Sequence, residues 1–304
     1  MFEKLLVALD GSELAENAVT YVRNLAVQLG AETYLLHVCP PEHQANIHMH
    51  QMYINTVAEG IRQALKENRG AGPELKVHSE AIVGEPDKVI LDYIKLRDIG
   101  LALLTSHGTS GLRPFAMGSI ADKVVRGADI PTLIIRIKEK PTLPEKRGII
   151  QRILVPLENS DPSKIAVPYA LEMAKKLKAS ITLFCMVRTI YSQNFDGAGM
   201  GVNAGLGVNW DAIDKASEKA ADDFLVGIEN DLIKEGIETS HTVYLGVDAA
   251  FEILEMEKKT QTDLVVMSTR VRSRAARWVF GSTAEKVLRE GDRPILVVRQ
   301  KAEA

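Results

Sequence analysis

From Thr105 the chain reads TSHGTSGLRPFAMGSIADKVV, and the residue types in this stretch could do chemistry. Gly108 follows the apolar run Leu101–Leu104 closely, where a backbone takes positive φ or comes close to a ligand. Gly118-Ser119 stands immediately before a helical pattern. Ser119-Ile-Ala-Asp122 resembles a capping box with Asp in place of Glu, which makes Ser119 the expected N-cap. A helix N-terminus offers unpaired N–H groups and partial positive charge, a setting that suits phosphate. One such end contributes only about 0.3–1 kcal/mol to an exposed anion, so several N–H groups and the glycine loop would have to act together. The same residues also suit a plain loop-to-helix junction, and pattern alone leaves both readings standing.

Other chemical signals are weaker. His43, His48 and His50 cluster after the second expected strand. A metal needs ligands held in a frame; the segment reads as a long loop, so no metal is assigned. Gly199-Met-Gly201-Val-Asn-Ala204 spells G-x-G-x-x-A, but no strand closely precedes it and no periodic helix follows. It belongs to a glycine-rich stretch, Asn194–Trp210, expected to be a flexible loop. The phosphate-loop pattern, H-E-x-x-H and G-x-S-x-G do not occur. Cys39 and Cys185 form neither a disulfide framework nor a zinc spacing. Both read as small buried hydrophobes at strand ends, which suits a cytoplasmic protein.

The elements that would hold these residues come in two copies. KLLVALDGSELAENAVTYVRNLAVQLGAETYLLHV from Lys4 resembles RILVPLENSDPSKIAVPYALEMAKKLKASITLFCM from Arg152. Asp10 falls on Glu158, Ser12 on Ser160 and Ala18 on Ala166. Further on, GSIADKVVRGADIPTLIIR from Gly118 falls on GSTAEKVLREGDRPILVVR from Gly281. Each half reads as alternating strands and helices. Leu5–Leu9 is continuously apolar, as in a strand covered on both faces. Leu14, Ala18, Val22, Leu25 and Leu29 mark one face of a helix that Gly30 ends. Val77–Val83, Leu101–Leu104 and Thr132–Arg136 are further strands. The expected fold is α/β: two tandem doubly wound, Rossmann-like domains, each a five-stranded parallel sheet flanked by helices. Residues 1–138 form the first domain, 139–150 the linker and 151–304 the second. The apolar last strands, Thr132–Arg136 and Ile295–Arg299, would be edges, which proteins pair or cover. A homodimer of the whole chain stays open.

Composition narrows the function classes. A chain of 304 residues suits two domains. Its formal net charge of −3 supplies no basic field for nucleic acid or an anionic membrane. No apolar run approaches the ~20 residues of a membrane span, and MFEKLLVALDGS reads as a first strand rather than a signal peptide.

On these residues the sequence resembles the universal stress protein family, once per half. The family's fingerprint is glycine, two residues, glycine, nine residues, glycine, then Ser or Thr. Gly108, Gly118 and Ser119 match its last three elements, while Thr105 stands at the first glycine. Asp10 after the opening strand, His37-Val38 at the end of the second and Pro131–Arg136 are also similar. The resemblance implies binding of ATP or a related adenine nucleotide. Ala8, Leu9 and Asp10 would approach ribose or adenine, and the Val38 backbone would read the adenine edge. Thr105, Gly108, Thr109, Gly118, Ser119 and Ile120 would hold ribose and phosphates, and Asp10 could hold Mg²⁺. The resemblance also implies that the closing strands pair between domains, so the halves are expected to join about a pseudo-two-fold axis.

The second half departs further, with Pro156, Glu158, Ser268, Gly281, Ser282 and Thr283 as a weaker counterpart and Val271 in place of Gly108. Its arginines, Arg270, Arg272, Arg274 and Arg277, suit either phosphate or a solvated basic loop. A nucleotide-responsive stress regulator with little or no turnover and an unidentified protein partner is the leading expectation. A slow ATPase or phosphotransfer enzyme and a nucleotide-free scaffold are the alternatives; catalysis would need a placed base and usually a metal, and no such set is recognisable.

Overall fold

The computed structural model describes residues 1–69, 76–106, 117–136, 149–189, 209–269 and 280–299. The first apolar run forms β1 (Lys4–Ala8), whose Leu5, Leu6 and Val7 are buried because a parallel strand has a helical layer on each face. It is followed by α1 (Glu13–Leu29), β2 (Glu32–Cys39), α2 (Ile47–Arg69), β3 (Val77–Val83), α3 (Pro86–Arg97), β4 (Leu101–Thr105), α4 (Ser119–Gly127) and β5 (Thr132–Ile135). The second half gives β6 (Arg152–Leu157), α5 (Ala166–Leu177), β7 (Ser180–Arg188), α6 (Trp210–Lys234), β8 (Thr239–Gly246), α7 (Ala249–Lys259), β9 (Leu264–Thr269), α8 (Ser282–Glu290) and β10 (Ile295–Arg299).

All ten strands among the described residues share one sheet in the order β3-β2-β1-β4-β5-β10-β9-β6-β7-β8. Within each half the pairs are parallel. At the centre β5 and β10 run antiparallel, with Leu133 opposite Leu296 and Ile134 opposite Ile295. That antiparallel pair relates the halves by a pseudo-two-fold axis. Each apolar closing strand thereby removes the other's exposed edge. Arg299 reaches Asp129 at 2.6 Å across the seam, Arg136 donates to the Gly291 carbonyl, and Lys176 donates to the Leu29 carbonyl at 2.9 Å. One apolar layer runs through both halves, from Ala18, Val22 and Leu25 on α1 to Ala170 and Met173 on α5.

Strand order reverses beside β1. The chain builds outward through β2 and β3, then crosses back to lay β4 on the other flank of β1. The second half repeats this about β6 and β9. Crevices that bind ligands form at the carboxyl ends of strands flanking such a reversal.

Several sequence expectations need correction. The segment after β2 is not a long loop: Pro41–Asn46 is a 3-10 turn running straight into α2. His43 therefore sits in that turn, and His48 and His50 on the helix. Cys185 lies inside β7 rather than at its end, although both cysteines are free and buried. Trp210 starts α6, capped by Asn209 through the amide of Ala212. The N-cap of α4 is Gly118, not Ser119, because the Gly118 carbonyl accepts the first intrahelical bond, from Asp122 N at 2.9 Å. No capping box forms, since the Asp122 carboxylate is bound to Arg126 instead. The linker up to residue 148 and residues 190–208 of the glycine-rich stretch lie outside the described residues.

Candidate functional site

In the first half the candidate residues lie at the ends of β1 and β4 and the start of α4. Leu9 is buried, its amide donating to the Leu36 carbonyl at 2.9 Å. Asp10 follows at the surface, one carboxylate oxygen accepting from Ser12 N at 3.0 Å. That tight turn requires Gly11 at φ +78. Ala8 ends β1 and Val38 is half-buried on β2. Thr105 is the last residue of β4 and is not among the positive-φ residues, as a β-branched side chain demands.

The amide of Gly118 donates to the Ser106 carbonyl at 2.6 Å, which fastens the cap of α4 to the end of β4. Since Asp122 donates the first intrahelical bond, the N–H groups of Ser119, Ile120 and Ala121 have no partner within the helix. Ser119 and Ile120 are exposed there. Gly108 and Thr109, like Val271 and the arginines from Arg270 to Arg277, lie outside the described residues.

Against Leu9 lies the buried His37. Its Nδ1 donates to the Leu9 carbonyl at 2.9 Å, and its ring stacks on His50 of α2 at 4.6 Å between centroids. Burial, then the neighbouring His50, hold its pKa below the usual histidine value, against the Leu9 bond and Asp10. Among the described residues no group of three or more His, Cys, Asp or Glu side chains is placed to hold a metal ion.

The equivalent crevice of the second half is a cavity of about 130 Å³. Pro156, Leu157 and Glu158 at the end of β6 form one wall, Ser268 and Thr269 at the end of β9 the floor, and Gly281, Ser282 and Thr283 at the start of α8 the opposite wall. All six second-half residues singled out from sequence line it. Phe184, Met186, Ile253 and Met267 add an apolar side that the sequence argument missed. One signal was available: Met186 follows Val38 by the same interval that separates Glu158 from Asp10.

The cavity is therefore apolar on one side and lined by hydroxyls and helix N–H groups on the other. The Thr269 hydroxyl is buried with no hydrogen-bond partner among the described residues. Gly281 has φ −62, and a Cβ built there meets nothing among the described residues within 4 Å. Glycine is thus not demanded by the backbone at this cap; its lack of a side chain leaves the cavity open. In size the space matches a single ring-shaped group.

The model of the universal stress protein family matches residues 1–136 and again 150–299. The chain belongs to that family and carries its domain twice. Universal stress protein YxiE of Bacillus subtilis is 29% identical over 148 residues, covering 45% of this chain and 100% of that protein. Universal stress protein MJ0531 of Methanocaldococcus jannaschii is 23% identical over 145 residues, covering 46% of this chain and 85% of its own length. A universal stress protein structure from Archaeoglobus fulgidus superposes with a TM-score of 0.71 at 19% identity, covering 99% of this chain and 100% of that one. That likeness extends through both halves and concerns the fold. No helix among the described residues is long and apolar enough to cross a membrane.

Proposed function

We propose that the chain binds an adenine nucleotide, ATP or a close relative, in the crevice of its first half. It would act as a nucleotide-responsive stress regulator with little or no turnover. The observation that carries this reading is the second-half cavity. Its wall residues Pro156, Glu158, Ser268, Gly281, Ser282 and Thr283 are the repeat counterparts of Ala8, Asp10, Thr105, Gly118, Ser119 and Ile120. The counterparts of the candidate nucleotide residues thus converge on one ligand-sized space, which supports an equivalent crevice in the first half.

In this reading the purine lies against Val38, the Asp10 carboxylate meets the ribose or a Mg²⁺ ion, and the phosphates meet the free N–H groups of Ser119 and Ile120. Gly108 and Thr109 complete the grip. The second crevice is the weaker one. Val271 replaces Gly108, and Glu158 carries one methylene more than Asp10, which moves its carboxylate out of register with a fixed sugar. We assign residues 1–138 to the nucleotide domain, 139–150 to the linker and 151–304 to the degenerate domain. The two buried free cysteines suit a cytoplasmic setting.

Calorimetric titration with ATP tests the reading. One site per chain is expected, abolished by Gly118→Val and retained by Gly281→Val. Two equivalent sites, or a site lost only with the Gly281 change, would overturn it.

A further inference from the structure

The central seam brings the last turn of α4 against the approach to the other half's crevice. Arg126 lays its guanidinium on the ring of Phe280, with Cζ 4.4 Å from the centroid. Phe280 is 3% exposed and immediately precedes Gly281, the cap of α8 and part of the second cavity's wall. The same guanidinium donates from Nε to the Asp122 carboxylate at 2.8 Å. Asp122 lies in the first turn of α4, three residues after Ser119. One cation therefore touches the residue beside the second crevice and the carboxylate beside the first.

We propose that Arg126 is a positioning residue that couples the two crevices. Phe280, anchored next to the cavity wall, fixes the plane of the guanidinium. The guanidinium in turn neutralises Asp122, whose free carboxylate would repel phosphate arriving at the α4 N-terminus. A change at Gly281–Thr283 that shifts Phe280 thereby alters the phosphate affinity of the other half. α8 repeats the acid–arginine pair, Glu285 with Arg289 at 2.8 Å. In the first half, however, Met117 stands where the second has Phe280, so among the described residues the flat aromatic support occurs in one direction only. Arginine rather than lysine suits the role because its planar group can stack and hold a carboxylate at once.

The inference rests on the nucleotide reading and deepens it. The test is calorimetric binding of ATP and of adenosine to the full chain, wild type and variants, each with a thermal melt. Phe280→Met keeps apolar bulk but loses the ring face; Phe280→Tyr keeps the face. Arg126→Gln removes the cation. A contact of this kind corresponds to roughly three- to tenfold in an equilibrium constant. Phe280→Met and Arg126→Gln should each weaken ATP by about that factor and leave adenosine within about twofold, whereas Phe280→Tyr should match wild type. Adding Asp122→Asn to Arg126→Gln should restore ATP affinity, which a purely structural role would not do. Unchanged ATP affinity in both single variants, equal losses of ATP and adenosine, or failure of the Asp122→Asn rescue would each overturn the coupling alone. A wild-type chain that binds neither ligand would remove the nucleotide reading as well.

Discussion

His241 on β8 offers a sharp pH test, because both of its ring nitrogens face carboxylates of α6. Nδ1 lies 2.5 Å from Glu229 and Nε2 3.1 Å from Asp222. A neutral imidazole has a single N–H donor, so only the imidazolium serves both acceptors. Burial opposes the charge and is the largest single influence, but the bonds to Asp222 and Glu229 together outweigh it and raise the pKa. A histidine raised above its unfolded value of about 6.5 stabilises the fold fully below that pH and loses its contribution as pH climbs through the folded pKa. Asp222 is 51% exposed, so its share is that of a surface pair, at most about 1 kcal/mol. Glu229 is 19% exposed, and a charge-assisted bond to it contributes about 1.5 kcal/mol or slightly more. His241→Gln should therefore cost about 2 kcal/mol at pH 5, or about 4–8 °C in Tm for a unit of this size, and almost nothing at pH 9. Thermal melts of both proteins from pH 5 to 9 measure it, with amide exchange along α6 and β8 to localise the change. A deficit that is constant with pH, or grows as pH rises, would refute the argument.

Three other outcomes follow from the same geometry. His37 has a lowered pKa, so its contribution has the opposite sign: it is present above about pH 6.5 and lost as pH falls through the folded value. Amide protection factors in the first turn of α2, where His50 stacks on His37, should fall on acidification and hold in a His37→Gln variant. Gly281→Ala adds a Cβ in open space at an ordinary φ, so its Tm should stay within about 3 °C of wild type; a larger fall would show that the cavity wall is packed. Steady-state ATP hydrolysis should stay far below the ordinary enzymatic range of about 1–10³ s⁻¹, and turnover within that range that vanishes in Asp10→Asn would favour the enzymatic alternative.

Much of the frame was legible because it rests on local rules. Gly30 ends α1 at φ +65, and β3 and β10 have the bounds read from sequence, since short apolar runs between turn residues have few other homes. The beginning of α2 was hidden. Its buried face, Ile54, Ala58, Ile61 and Leu65, starts only after two turns, while Met49 and Met52 in those turns stay exposed, so the polar, histidine-rich opening imitates a loop. The cap of α4 was misplaced by one residue because a Ser before a helix satisfies the capping pattern whether or not its side chain is used. Here the carbonyl of Gly118 and the pull of Arg126 on Asp122 decide the matter.

The candidate site was half legible. Its polar positions repeat in sequence and can be paired between the halves. Of its apolar side only Met186, the repeat counterpart of Val38, left a signal in the sequence; Phe184 and Met267 look like ordinary strand core residues, and only the third dimension shows that they border a void. The stacking of Arg126 on Phe280 is a product of the seam between halves, 154 positions apart in the chain, and no local pattern announces it.

A crystal structure of the full chain grown with ATP tests the central claim most directly. The expected density places the purine beside Val38, the ribose at Asp10 and the phosphates against Ser119 and Ile120, with the second cavity holding no nucleotide or a partly occupied one. Nucleotide in the second cavity alone, or in neither crevice at saturating ATP, would contradict the account.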